Sequence, residues 1–451
     1  MLRVTWRQLP GLVGSLHGPD IGVGVARSMT RSVLEGIPTT IGPAAVFKTP
    51  VPRLRAGVRS LGHADIERVG DLAAYYQVFV SDRATAEQVK DRLTASLDVD
   101  PREVWIEAAP VTGVPESTPF RNAHVVQAPT RDLRPDQGYL RPRASFGVDA
   151  DFAHGVPGGD GDGIYLIDIE YGWNTAHEDL PRRSTPQQFG QIANEDHGTA
   201  VLGVVGGDWG GQPVGVRGIA SGCWVEGYSA TETSGAFNPE GAVESASAWL
   251  ALNNQVGVIL IELQTAPPLR PLEVSSLFWK VVLQATGKGI YVVAAAGNGG
   301  LSLDPDGLHL PGNDSGAILV GAGGSLHGHS LERVAASNWG ERVDVQGWGE
   351  HVVTCGGLSD PAWCDLLQDR DGSRCYTQSF AQTSSAAAIV AGVVACVAGA
   401  VKAAGRPALS PTAMRDLLRT TGQPQLDPGD ERKRVGPLPD LKAALVALGL
   451  A

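Results

Sequence analysis

From residue 379 to 401 the chain reads SFAQTSSAAAIVAGVVACVAGAV. A short polar opening leads into an unbroken run of Ala, Ile, Val, Gly and Cys, and no charge falls between Arg374 and Lys402. A helix that is apolar all round belongs in a core or in a bilayer. This run is shorter than the ~20 residues a span requires, and Ala and Gly make it weakly hydrophobic, so it predicts a buried core helix. Upstream, apolar strand-like runs at 163–170, 224–229, 256–263 and 289–295 are interleaved with helical patterns. One helix follows His197 through 200–205, a second covers 239–253 and a third 272–288. The run at 256–263, VGVILIEL, has the composition of a strand buried on both faces. Such alternation predicts an α/β fold, a parallel sheet flanked by helices, with functional residues at the carboxyl ends of the strands.

The flanks are less uniform. Residues 1–70 carry no assignable chemistry. Residues 71–111 read as a small α+β unit: a strand over 75–80, an amphipathic helix over 85–94 with Val89 and Leu93 on one face, and a strand over 104–111. Residues 112–136, rich in Pro, Arg and Thr, read as an exposed linker open to proteolytic nicking. The main domain is expected over 137–451. Near its end Ser410, Pro411 and Gly422 are the cap, first-turn and stop signals of one helix, and 439–448 closes the chain with another.

Composition narrows the function. The 36 Lys and Arg against 48 Asp and Glu give a net charge of −12, and no basic run occurs, which argues against nucleic-acid binding. The 5 Cys and 10 His show no zinc-type spacing, and no cofactor is expected. Asp160-Gly-Asp162, Asp304-Pro-Asp306 and Asp369-Arg-Asp371 have calcium-loop residue types, but turns use the same residues and are the expectation. Cys355, Cys364 and Cys375 cluster ahead of the apolar helix and could pair or stay reduced. Polar and turn residues interrupt the first twenty positions, so no Sec signal is expected and the chain is assigned to the cytoplasm or to export by another route.

The candidate chemistry lies around the strand ends. A hydroxyl in Thr383-Ser-Ser385, at the mouth of a buried helix, sits where backbone N–H groups and the helix dipole favour a developing anion. A serine nucleophile needs a base and the base an orienting carboxylate. His197 in NEDHGTAVLG and Asp168 at the end of the 163–170 strand supply both, and Asn298, after the 289–295 strand, offers an amide to an oxyanion.

In this order, Asp168, His197, Asn298 and Ser384, the chain resembles the subtilisin-like serine proteases (subtilases). The matching residues are Leu166-Ile-Asp168 with His177-Glu-Asp-Leu180, His197-Gly-Thr199 with Gly203, Ala296-Gly-Asn298, and Thr383-Ser-Ser-Ala386 with Val390-Ala-Gly392; Ser337 to Gly340 and Val343 to Val345 look like a strand pair of the family. The resemblance spans roughly 139–422. It implies an Asp168–His197–Ser384 triad, an oxyanion hole using Asn298, and a substrate-binding strand at Glu262-Leu263-Gln264, where the family carries Ser-Leu-Gly. It further implies that 71–111 is propeptide-like, that the protein is a zymogen, and that its partner is a protein or peptide substrate, without nucleic acid or membrane span. Near the nucleophile the chain departs from the family: Gln382 replaces a Gly and Ala388 a Pro. Gln382 is therefore a candidate specificity residue, and the same departure motivates the alternative of a catalytically impaired, peptide-binding pseudoprotease. A Ser-Glu-Asp acid peptidase could use Glu170 and Glu262, but His197 and Asn298 match subtilases.

Overall fold

The computed structural model describes residues 2–7, 41–45, 75–96, 99, 102, 104–108, 110–112, 130–180, 195–207, 214–232, 235–304, 314–328, 330–366, 372–426 and 433–451. Most of the expected linker, and Asp306, Asp369 and Asp371 of the acidic turns, lie outside these residues.

The centre is a six-stranded sheet in the order β12-β11-β10-β8-β6-β7. Its strands are β6 (Tyr165–Glu170), β7 (Trp224–Ser229), β8 (Gly257–Ile261), β10 (Tyr291–Ala295), β11 (Ile318–Gly323) and β12 (Val345–Trp348). Every pairing is parallel. One face carries α2 (Glu195–Gly206) and α5 (Gln382–Ala403); the other carries α3 (Pro239–Leu252) and α4 (Ser276–Gly287). The interior strands are buried along their whole length, which is why their sequences are near-continuous Val, Ile, Leu and Ala rather than alternating.

The apolar run is α5. Among the described residues it is the one helix long and apolar enough to cross a membrane, and that apolar stretch lies wholly inside the fold. It crosses β8, β10, β11 and β12 and packs against α2. Ile389, at its middle, is fully buried, so Ile389→Ala would cost about 2–5 kcal/mol. The next helix, α6 (Pro411–Thr421), follows its signals: Ser410 Oγ accepts from Ala413 N at 3.1 Å. The closing α7 (Leu441–Ala447) is capped by Asp440, whose Oδ1 accepts from Ala443 N at 2.9 Å.

Four expectations change. The 256–263 run breaks at Glu262: β8 ends at Ile261, and β9 (Leu263–Thr265) leaves the main sheet to pair with another segment. The 272–288 helix is split, because Ser275 caps α4 by accepting from Phe278 N at 3.3 Å and residues 272–274 form a separate 3-10 turn. Ser337 to Gly340 is not a strand; only Trp339 makes an isolated bridge, to Ser302. The N-terminal unit also reaches beyond 71–111. Its antiparallel sheet, β2-β3-β1-β4, draws β1 (Leu2–Arg7) and β2 (Ile41–Ala45) from the region left without a role, and joins them to β3 (Tyr75–Val80) and β4 (Val104–Ala108) beside α1 (Arg83–Ser96). Val89 and Leu93 are buried in this unit, as their spacing predicts.

The last strand of the 71–111 reading, β5 (Pro110–Thr112), pairs antiparallel with β9: Pro110 opposite Thr265, Val111 opposite Gln264, Thr112 opposite Leu263. The N-terminal unit touches the main domain again just ahead of α3 and at α4. Gln77 Nε2 donates to the Phe237 carbonyl at 3.3 Å, and Lys280 Nζ lies 5.2 Å from the Trp105 ring centre.

Candidate active site

Parallel strands with side chains of period two place Asp168 and Glu170 on the same face of β6, the face covered by α2 and α5. Asp168 lies opposite Leu260 and Ile169 opposite Ile261, so Glu170 and Glu262 leave the sheet as neighbours at its carboxyl edge. His197 comes from the first turn of α2 and is 3 % exposed. Its approach to β6 depends on Gly198: a Cβ there would lie 2.3 Å from the Gly172 carbonyl oxygen and 2.8 Å from the Trp173 ring.

The sequence expectation gives the orienting role to Asp168, but the carboxylate in contact with His197 is that of Glu170. His197 Nδ1 meets Glu170 Oε2 at 2.5 Å, both side chains being buried. Asp168, two residues further inside the strand, instead accepts from Trp173 Nε1 at 2.7 Å. Glu170 is the last residue of β6, and the longer side chain at the strand end is the one that reaches across to α2. The rule that sites gather at the carboxyl ends of strands would have pointed to it. The second oxygen of Glu170 accepts from Tyr171 N at 2.9 Å, which fixes the carboxylate plane.

Burial opposes charge on His197, but the charge and hydrogen bond of Glu170 outweigh it, and the imidazole is held above its ordinary 6.5. Nδ1 is committed to Glu170, leaving Nε2 for chemistry. Phe380 and Trp363 stand edge-on to the ring at 5.6 and 6.0 Å between centroids. Trp363 belongs to a segment tied down by the Cys364–Cys375 disulfide; Cys355, the third member of that cluster, is free and buried. The segment joins the hairpin of β13 (Val352–Cys355) and β14 (Tyr376–Phe380), and the preceding loop is pinned to the residue beside His197: Asp196 Oδ2 accepts from Ser359 N at 2.6 Å.

Ser384 sits in the first turn of α5, 2 % exposed. Its neighbour Ser385 is committed elsewhere: its hydroxyl donates to the Trp348 carbonyl at 2.8 Å and the Gln382 carbonyl at 3.0 Å. Of the two serines, Ser384 keeps its hydroxyl unengaged among the described residues, and catalytic hydrogen bonds commonly tighten only when substrate binds. Asn298 lies beside this turn. Its Oδ1 accepts from Thr383 N at 3.1 Å and Thr383 Oγ1 at 2.7 Å, which orients the amide and leaves Nδ2 as a donor. Its backbone N donates to Gln264 Oε1 at 2.8 Å, coupling it to β9.

Gln382 has φ +66°, a left-handed conformation that glycine adopts freely and other residues at a cost of about 1–2 kcal/mol. It keeps that conformation while its N donates to the Gly349 carbonyl at 2.7 Å. The backbone ahead of Ser384 therefore follows a glycine's path although the residue is glutamine. Ala388 continues an unbroken helix.

Of the expected substrate strand, Leu263 and Gln264 lie in β9 and pair with an extended segment. Glu262 lies outside that pairing, between β8 and β9. It is 1 % exposed, so it offers no carboxylate to a peptide. Of the acidic turns, Asp160 Oδ1 accepts from Asp162 N at 3.2 Å, an ordinary turn contact.

Comparison with known proteins agrees with this architecture. A search of curated proteins found no match. Solved structures similar to the chain include a protease of Pseudoalteromonas arctica (20% identity, 71% of this chain and 99% of that one, TM-score 0.53). A cold-adapted subtilisin-like serine proteinase (24% identity, 62% and 89%, TM-score 0.44) and the patellamide maturation protease PatA (20% identity, 64% and 97%, TM-score 0.49) are also similar. At this identity the first bears on the fold alone, and the other two, with TM-scores below 0.5, carry no argument. The profile of the subtilase family matches residues 171–436, taking in His197, Asn298 and Ser384 and beginning one residue after Glu170. With more than half of its length matched, the chain belongs to the subtilase family of serine proteases.

Proposed function

We propose that this subtilase is an active serine endopeptidase, made as a zymogen, whose triad is Glu170–His197–Ser384. The observation that carries the reading is the buried contact between His197 and Glu170, with the His197 ring against Phe380, four residues before Ser384. Ser384 Oγ attacks the scissile carbonyl carbon while its proton passes to His197 Nε2. The carbonyl π electrons move to oxygen, and Asn298 Nδ2 and the Ser384 backbone N–H hold that oxyanion. His197 then gives the proton to the departing amine as the C–N bond breaks; water enters by the same route and releases the acid. Glu170 fixes the Nδ1–H tautomer and stabilises the imidazolium.

Substrate binding follows from β9. The antiparallel pairing of β5 on Leu263–Thr265 supports a mode in which a peptide adds as a strand, held by main-chain hydrogen bonds. In the zymogen the chain's own residues 110–112 occupy that place, with the N-terminal sheet docked just ahead of α3 and at α4, and cleavage falls downstream of Thr112. The glycine-like backbone at Gln382 favours this reading over a peptide-binding pseudoprotease, because the feature that motivated the latter leaves the path around Ser384 intact.

The test is labelling by a fluorophosphonate probe together with turnover of a protein substrate. Wild type should label and hydrolyse, and Ser384→Ala should do neither while keeping its fold. Turnover retained in Ser384→Ala would overturn the assignment.

A further inference from the structure

Behind the Glu170–His197 contact lie two more acids that the mechanism above does not use. Asp168 is fully buried and Glu262 is 1 % exposed. Trp173 Nε1 supplies Asp168 Oδ2 with a donor. Asp168 Oδ1 and both Glu262 oxygens have no donor among the described residues, and the register of β6 on β8, with Asp168 opposite Leu260 and Ile169 opposite Ile261, brings the two carboxyl groups to the same face at the end of the sheet. Two ionised carboxylates are acceptors only and would repel, each still lacking a partner; one added proton turns one of them into the donor the other needs.

We propose that Asp168 and Glu262 share a single proton, and that this half-ionised pair is a positioning element behind Glu170 that sets the pH at which His197 becomes a base. Among the described residues no donor is paired with these three oxygens. On β6 the facing group is Glu170, and from α2 it is His197. The strands on either side place Gly227 and Leu260 at the level of Asp168. The adjacent turn gives Trp173, and the first turns of α5 contain no titratable side chain. Burial, then repulsion from Glu170, pushes Asp168 up to about 7, and burial with the charge of Asp168 pushes Glu262 well above the usual carboxylate range. Both directions favour retention of a proton by the pair.

The proposal rests on the triad reading for its kinetic consequence but not for its direct test. In Ser384→Ala protein at pH 7, infrared difference spectra should show the carbonyl band of a protonated carboxylic acid that is lost in Ser384→Ala/Glu262→Gln. Absence of that band would overturn the shared proton whether or not His197 is catalytic. The kinetic arm uses isosteric amides. Glu262→Gln replaces the shared proton with a permanent donor at unchanged net charge, so the midpoint of the acid limb of kcat/KM should stay in place. Asp168→Asn/Glu262→Gln removes one negative charge, and the midpoint should fall by roughly one pH unit, the lower end of what a nearby opposite charge contributes. A fall already in Glu262→Gln would mean that both carboxylates are ionised, and no fall in the double variant that neither is. Either result refutes the proposal.

Discussion

Asp168 and Glu170 stand two residues apart on one strand and face the same way, and it is Glu170 that meets His197, at 2.5 Å. The two acids should therefore respond very differently to amide substitution. Glu170→Gln presents an amide where Nδ1–H needs an acceptor and no longer stabilises imidazolium. A loss of about ten-thousand-fold in kcat is expected, as when the orienting acid of such a triad is neutralised. Asp168→Asn, which keeps an acceptor for Trp173, should cost far less. Steady-state kinetics on both variants decide the matter, and the reverse ranking would restore Asp168 to the triad.

The pH profile carries a signed expectation. His197 is held above 6.5 by Glu170 and must be neutral to accept the Ser384 proton. The acid limb of kcat/KM should thus have its midpoint above 6.5, with activity rising as pH climbs through it. For stability the sign is opposite: the His197–Glu170 contact contributes fully below the unfolded histidine's pKa, and its contribution fades as pH rises through the folded value. An acid limb below 6.5 would contradict this electrostatic account.

Much of this was legible in the sequence. The unbroken apolar run could only be a core helix or a span, and its length decided between them. The parallel sheet followed from alternating buried strands, and the positions of Asn298 after β10 and Ser384 in the first turn of α5 followed from the ends of those runs. Asp168 is the sequence expectation and Glu170 the acid found against His197, because period two puts both on one face of β6 and the pattern alone does not show which of them reaches α2. The burial of Glu262 was hidden for a related reason: the apolar run continues through Leu263 and masks the break between β8 and β9. The N-terminal sheet was missed because β1 and β2 pair with β3 across long separations, and residues 2–7 and 41–45 give no hint locally of their partners.

Thr383 holds Asn298 through two hydrogen bonds to one oxygen. Thr383→Val keeps the shape and the backbone donor and removes the hydroxyl. Losing about 1 kcal/mol of orientation should lower kcat several-fold to tenfold with little change in KM. A KM effect alone would show that Thr383 acts on substrate binding instead.

Gln382 combines a left-handed backbone with a long side chain ahead of the nucleophile. Gln382→Gly should relieve the backbone cost, offset in part by the freedom glycine gains in the unfolded chain, so the melting temperature should change little. If the side chain narrows the pocket for the residue before the scissile bond, kcat/KM should rise for large aromatic residues there and stay level for small ones. A uniform fall across both would show that Gln382 supports the transition state.

Residues 110–112 lie along β9, which gives the proposed self-processing a defined start. Intact mass of wild-type protein should show loss of an N-terminal fragment ending between about residues 112 and 140, and Ser384→Ala should remain full length. If both stay intact under conditions where wild type cleaves added substrate, the zymogen reading fails.

Ser384 belongs to the same helix that fills the middle of the core. Local opening normally begins in exposed loops and termini, whereas an element packed on all sides opens only with the whole domain. The proposed nucleophile is thus mounted on an element expected to open only with the whole domain. Heating should abolish probe labelling and tertiary structure in one transition, and backbone amides of residues 389–397 should exchange hydrogen only through global unfolding. A protease built this way stays competent until the domain itself melts, and then loses its catalytic geometry and its fold in a single event.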